Sequence, residues 1–257
     1  MKRFLAAVLC ATTTFVLANA ASAQDKLRIA TEGAYPPFNQ LDPDGSLSGF
    51  DIDIAKALCA DMKVTCEFVK QDWDGLIPGL LARKFDVIAA SMTINEERKK
   101  RVDFTEKYYQ TPAQFSAKKG SGLDVTPEGL KGKTIGVQRG TIQACYLEKF
   151  YTNSELKVYP SQLEVFNDLV AGRVDIAFSD RVTAQEQLLK GAGGDNYELV
   201  GPPQKDPSCL GEGVGLAVRK NDSELRIKLN KAIQDIRSDG TYAKINAKYF
   251  PFDLYGD

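Results

Sequence analysis

"GLLARKFDVIAASM" (residues 79–92) and "NDLVAGRVDIAFSD" (residues 167–180) share one layout at two distant places in the chain. Each runs from a helical apolar pattern through a basic turn into a short apolar stretch that carries an Asp and ends on hydroxyl or acidic residues. A 3.6-residue period giving way to a short apolar run marks a helix feeding a buried strand. Two copies predict two similar α/β units.

Working outward from the first copy, "KLRIATEG" (26–33) reads as a strand and "FDIDIAKALCADM" (50–62) as an amphipathic helix. "VTCEFVK" (64–70), "WDGLIPGLLARK" (73–84) and "FDVIAASM" (85–92) continue as strand, helix and strand. This alternation builds a parallel sheet. After Tyr108 and Tyr109 it restarts, with strands at 130–138, 156–160 and 174–180 and helices at 141–150 and 162–173. The last part (212–250) adds one strand and two amphipathic helices. In open α/β sheets ligands sit beyond the carboxyl ends of the strands. Glu32, Ser91 to Thr93, Gln138 to Thr141 and Asp180 fall at such ends.

Residues 1–23 have a basic start at Lys2 and Arg3, an apolar stretch, and Ala21-Ser22-Ala23 as a small-residue cleavage site, the pattern of a secretory signal. Val8 and Leu9 are too bulky to precede a lipidated Cys10. No later stretch approaches the roughly eighteen apolar residues of a membrane span, so the mature chain is expected in the periplasm. Loss of the leader's two basic residues takes the formal net charge from −1 to −3. That balance excludes nucleic acid as a partner, which needs clustered Lys and Arg.

Four cysteines remain after the leader, and export permits disulfides. Cys59 and Cys66 flank a helix end and a strand start, where a bridge pins the turn; Cys145 and Cys209 either pair or lie buried as thiols. The chain has no histidine, which removes His-based nucleophilic catalysis and the commonest metal ligand. "GVQRGTIQ" lacks both the Lys-Ser/Thr ending of a P-loop and the third glycine of a dinucleotide fingerprint, so no cofactor or metal is expected.

From "LRIATEGAYPPF" through "GFDIDIAKALC", "WDGLIP", "SMTINEERKKRVDFTEKYY", "LKGKTIGVQRGT" and "LVAGRVDIAFSD" to "IRSDGTYAKINAKYF" and "FDLYGD", the mature chain resembles the periplasmic amino-acid-binding proteins of bacterial ABC importers. Within them it is most similar to the lysine/arginine/ornithine- and histidine-binding group. The resemblance implies the two-lobed type II fold, each lobe a mainly parallel sheet flanked by helices, with two hinge strands. Lobe 1 would hold residues 24–110 and 212–257, and lobe 2 residues 111–211.

The resemblance also implies a ligand site. Arg98 matches the arginine that clamps the ligand α-carboxylate; in a bland reading it is one more solvated cation beside Lys99, Lys100 and Arg101. Ser91 and Thr93 match head-group hydroxyls. Asp180 matches the carboxylate that pairs with the α-ammonium, where the bland reading is a helix cap. Backbone N–H groups of Thr141 and Ile142, with Gln143 beside them, open a helix that faces the α-carboxylate. Glu32 sits where relatives that take cationic ligands carry an acid, and Tyr35 and Trp73 stand as opposite aromatic walls. Glu32, Trp73, Ala90 and Gln138 depart from the nearest relatives, which redesigns the distal pocket. The expected function is capture of a basic amino acid (arginine or ornithine, also lysine or histidine) by a monomer that delivers it to the membrane permease of an ABC importer. Opine-type guanidino conjugates, and an exported cyclohexadienyl or arogenate dehydratase, are the alternatives.

Overall fold

The structure is a computed structural model that describes residues 26 to 256; the leader expected at residues 1–23 lies outside them. The chain opens with β1 (Lys26–Thr31), a small antiparallel layer of β2 (Ala34–Tyr35), β3 (Asn39–Leu41) and β4 (Leu47–Ser48), then α1 (Phe50–Asp61). β5 (Thr65–Lys70), α2 (Leu76–Leu81), β6 (Val87–Ile88), α3 (Glu96–Lys99) and β7 (Asp103–Phe104) complete this part. The chain then crosses into β8 (Ala113–Lys118), β9 (Thr134–Gln138), α4 (Ile142–Phe150), β10 (Glu155–Tyr159), α5 (Gln162–Val170) and β11 (Ile176–Asp180). There follow α6 (Arg181–Thr183), β12 (Tyr197–Gln204) and α7 (Pro207–Leu210), and a second crossing returns it to β13 (Ala217–Val218), α8 (Ser223–Ser238) and α9 (Thr241–Tyr249).

Two five-stranded sheets result, in the orders β5-β1-β6-β13-β7 and β10-β9-β11-β8-β12. The strands of the repeated sequence, β6 and β11, are each the middle strand of their own sheet. β1 pairs parallel with β5 and β6, and β9 parallel with β10 and β11. β13 runs antiparallel to β6 and β7, and β8 antiparallel to β11 and β12. One strand in each sheet therefore opposes the other four, and in both it is the first strand after a crossing. This is the two-lobed architecture of periplasmic binding proteins.

Each lobe has its own core. In the first, α1 turns Ile54, Ala55, Leu58 and Cys59 inward against Leu229, Ile233 and Ile236 of α8. These side chains are almost fully buried, and each leucine and isoleucine among them contributes about 1.5–3 kcal/mol of hydrophobic stabilisation. Gly49 before α1 has φ +120°, and a Cβ there would come within 2.4 Å of the Phe38 carbonyl oxygen, so only glycine lets the helix start this close to β3. In the second lobe, Phe115, Ile135, Val137, Leu147, Ile176 and Phe178 pack between the sheet and α4.

Both cysteine pairs are bridged. Cys59–Cys66 joins α1 to β5 across a separation of 7 residues, with an S–S distance of 2.02 Å. Cys145–Cys209, the pair the sequence left open, joins α4 to α7 across 64 residues at 2.08 Å. The helix expected over 73–84 is a 3₁₀ turn at Trp73–Gly75 followed by α2, and it stops at Leu81 because Arg83 takes a left-handed φ of 58°. The helix expected over 162–173 likewise stops at Val170, ahead of Gly172 at φ +70°. Among the described residues no helix is long and apolar enough to cross a membrane.

Candidate ligand cleft

A cleft of about 620 Å³, its open mouth included, lies between the lobes at the carboxyl ends of the parallel strands. All twelve residues singled out in the sequence line it: Glu32, Tyr35, Trp73, Ala90, Ser91, Thr93 and Arg98 from the first lobe, and Gln138, Thr141, Ile142, Gln143 and Asp180 from the second. Strand geometry explains the convergence. Glu32 directly follows β1, Ala90 and Ser91 follow β6, Gln138 ends β9 and Asp180 ends β11.

Three charged groups dominate the cleft. Glu32 is 4% exposed; burial raises its carboxyl to about 7, although the amide of Gln138 donates to it and partly opposes the shift. Asp180 is raised to about 6, again by burial, against hydrogen bonds from the Thr111 hydroxyl and from the N–H groups of Thr183 and Val182. Burial also lowers the Arg98 guanidinium to about 10, which leaves it cationic at neutral pH. The cleft thus combines two acids held partly protonated by desolvation with one buried base.

Arg98 is fixed by its surroundings. Asn95 caps α3 and takes the Arg98 backbone N–H, while the guanidinium donates to the Thr93 carbonyl at 2.8 Å and across the lobes to the Gly140 carbonyl at 3.3 Å. Its plane lies over the Trp73 ring, 5.2 Å from the centroid. Trp73 was expected as a free wall opposite Tyr35; part of its π-surface instead supports the cleft's own arginine. Asp180 is a helix cap, its Oδ1 accepting from the N–H groups of Val182 and Thr183 of α6, and it also lines the cleft.

On the second lobe, Thr141 caps α4, accepting from Ala144 N–H while its own hydroxyl donates to the Gln138 carbonyl. The N–H groups of Ile142 and Gln143 then belong to the first turn, which has no intrahelical acceptors, and both residues line the cleft. Ser91 lines the cleft but commits its hydrogens elsewhere. It takes a left-handed φ of 52°, and both its N–H and its hydroxyl donate away from the cleft to Asp51.

The lobes meet at Gln138, Arg139 and Gly140, and again where Gln187 Nε2 reaches the Ala34 carbonyl at 3.4 Å. Gln138 Nε2 reaches Glu32 Oε1 at 2.8 Å, Arg139 pairs with Asp74, and Gly140, at φ +66°, lies within reach of Trp73 and Arg98. Sequence reasoning missed Tyr109, Gln110, Thr111, Leu210, Gly213 and Val214, which also line the cleft. All six sit on or beside the two crossings, so a signal existed in the hinges themselves, which contribute to the cleft wall.

Two lobes of the same plan, hinged by two crossings around a charged cleft, define a solute-binding protein of the periplasmic type. The model of the family of bacterial extracellular solute-binding proteins, family 3, matches residues 27–252, and the chain belongs to that family. It is 49% identical over 253 residues to the L-arginine-binding protein of Pseudomonas aeruginosa, covering 97% of this chain and 98% of that one. It is 42% identical over 238 residues to the histidine-binding periplasmic protein of Escherichia coli, covering 92% of each. Among solved structures it is similar to an ancestral arginine-binding protein bound to arginine, with a TM-score of 0.82 and 39% identity, covering 89% of this chain and 99% of that one.

Proposed function

We propose that the protein captures a basic L-amino acid, arginine first, in the periplasm and hands it to the permease of an ABC importer. One observation carries this: the cleft offers two acids, Glu32 and Asp180, and one base, Arg98, all buried. A basic amino acid presents the complementary set, an α-ammonium, a side-chain cation and an α-carboxylate. A neutral amino acid forgoes the pairing with Glu32, and an acidic one sets a second carboxylate against it in a desolvated site.

In the proposed pose Arg98 and the first turn of α4 take the α-carboxylate. Asp180 takes the α-ammonium, and Glu32 takes the side-chain cation beside Tyr35. The names of the relatives support arginine, and the planar guanidinium matches an acid flanked by aromatic surface better than the compact ammonium of lysine does. Gln138 is bonded to Glu32 and to the Pro160 carbonyl, and a larger guanidino conjugate would have to displace it, which supports the plain amino acid.

Calorimetric titration against the basic amino acids, citrulline, glutamine and glutamate tests the reading. Arginine or ornithine should bind most tightly and glutamate not measurably; a preference for glutamate or glutamine overturns it. The raised Glu32 carboxyl also supports a second reading, since a dehydratase on this fold needs a poised acid. Conversion of arogenate or prephenate by the purified protein would establish that reading in place of the first.

A further inference from the structure

Asp51 lies in the first turn of α1 and is fully buried, behind the wall of the cleft rather than in it. Four donors surround its carboxylate. Asn39 Nδ2, Ser91 N–H and the Ser91 hydroxyl reach Oδ2 at 3.0, 2.9 and 3.0 Å, and the Tyr108 hydroxyl reaches Oδ1 at 2.6 Å. Every one of these donors is neutral. A carboxylate held this way accepts strong charge-assisted bonds and offers no hydrogen in return.

The consequence falls on Ser91, which does line the cleft. A non-glycine residue at a φ of 52° costs about 1–3 kcal/mol and persists only where its surroundings over-determine it. Here both of its hydrogens, on nitrogen and on oxygen, are turned to one buried carboxylate. Asn39 Nδ2 reaches the Ser91 hydroxyl oxygen at 3.5 Å, so what Ser91 can present to a ligand is the remaining oxygen lone pair and no hydrogen. A free serine hydroxyl serves as donor or acceptor and discriminates nothing; a serine whose hydrogen is committed elsewhere accepts and does not donate.

We infer that Asp51 is a positioning residue for ligand selection: by fixing the polarity of Ser91 it makes that wall of the cleft acceptor-only, and so selects a ligand that brings an ammonium to it. The inference rests on the amino-acid reading proposed above and adds to it a residue that touches no ligand. Asp51 also ties Ser91 to Tyr108, whose neighbour Tyr109 begins the first crossing, so one carboxylate aligns the cleft wall with the hinge.

The test compares L-arginine with 5-guanidinopentanoate, the same molecule without its α-ammonium, by calorimetry on the wild type, Asp51→Asn and Ser91→Ala. An amide oxygen at position 51 is a neutral and weaker acceptor for the donors that converge there, so the Ser91 hydrogen is released toward the cleft. In Asp51→Asn, arginine affinity should fall about tenfold more than that of the des-amino ligand, and the same ratio should shift in Ser91→Ala, where the acceptor itself is gone. A merely structural role weakens both ligands by the same factor, and that result, or no change in the ratio, overturns the inference. Should Asp51→Asn not fold, Ser91→Ala alone decides, because equal losses for the two ligands refute the acceptor role. A wild type that binds no arginine fails the proposed function instead, and the control titration shows which of the two has failed.

Discussion

Replacing Glu32 by Gln should abolish the pH dependence that the wild type shows in its preference for arginine over citrulline. The wild-type carboxyl is raised to about 7 by burial, so at pH 5 it is almost wholly protonated before ligand arrives. Binding a guanidinium requires the ionised form, and an adjacent cation lowers a carboxyl by about 1–3 units. Between the two values each ligand bound releases one proton. Affinity should therefore fall about tenfold per pH unit from 7 to about 5, a total of about 2.7 kcal/mol at 1.36 kcal/mol per unit, and then level off. Asp180, raised to about 6, titrates in the same direction, but it would face the α-ammonium of every amino acid. Citrulline has that ammonium and no side-chain charge, so the arginine-to-citrulline ratio isolates Glu32. Calorimetry from pH 5 to 8 should give a ratio that climbs with pH in the wild type and is flat in Glu32→Gln, which at pH 8 also loses about 1–3 kcal/mol for arginine. A flat wild-type ratio, or a slope that survives in Glu32→Gln, refutes the assignment of the side-chain cation to Glu32.

Arg98→Ala or Asp180→Ala should cost on the order of 2–5 kcal/mol of affinity, because each strands a buried ligand charge; wild-type titration curves would remove them from the head-group clamp. The ligand-free protein should melt at a higher temperature at pH 5 than at pH 8. Glu32, Asp51 and Asp180 all have folded values above their ordinary ones, so the folded state holds protons that the unfolded state has released, and stability falls as pH rises through about 6 to 7. A melting temperature that drops on acidification over this window contradicts the burial of these groups. By loop-closure entropy Cys145–Cys209 should contribute about 4 kcal/mol and Cys59–Cys66 about 2.5 kcal/mol, so in denaturant titrations Cys145→Ser/Cys209→Ser should lose more than Cys59→Ser/Cys66→Ser. Arginine should reduce the radius of gyration in solution scattering, and Asp74→Ala, which breaks the exposed pair with Arg139, should weaken binding by at most about fivefold, the worth of a surface ion pair of about 1 kcal/mol.

The parallel strands and the cleft residues were legible because both depend on short-range pattern. The strands at β1, β6, β9 and β11 are short apolar runs, β6 and β11 directly after helical periods, and their ends place the polar residues by chain geometry. β8 and β12 were not legible. "AQFSAK" alternates weakly, and "YELVGPPQ" carries Gly201, Pro202 and Pro203, with a register shift between Val200 and Gln204. Strands of two or three residues, such as β2 to β4, leave no periodic trace. Pairings between distant residues were likewise hidden: nothing in the sequence puts Trp73 beneath Arg98, joins Gln138 to Glu32, or turns Ser91 toward Asp51. Asp51 itself reads as the polar face of an amphipathic helix, and only tertiary packing buries it.

The two opposing strands, β8 and β13, set the order in which the molecule can be completed as it is made. The second lobe is one uninterrupted stretch from β8 to β12, so all its strands have emerged before β13 exists. The first lobe begins earlier but cannot close its sheet until β13 arrives, nor cover its core until α8 and α9 follow. Domains generally fold as units while the chain emerges, so the lobe that starts second should be the first to finish. A nascent chain stopped near residue 211 would then carry a folded second lobe on an N-terminal segment that exposes the edge of β6, the surface on which a chaperone or a neighbouring chain could pair.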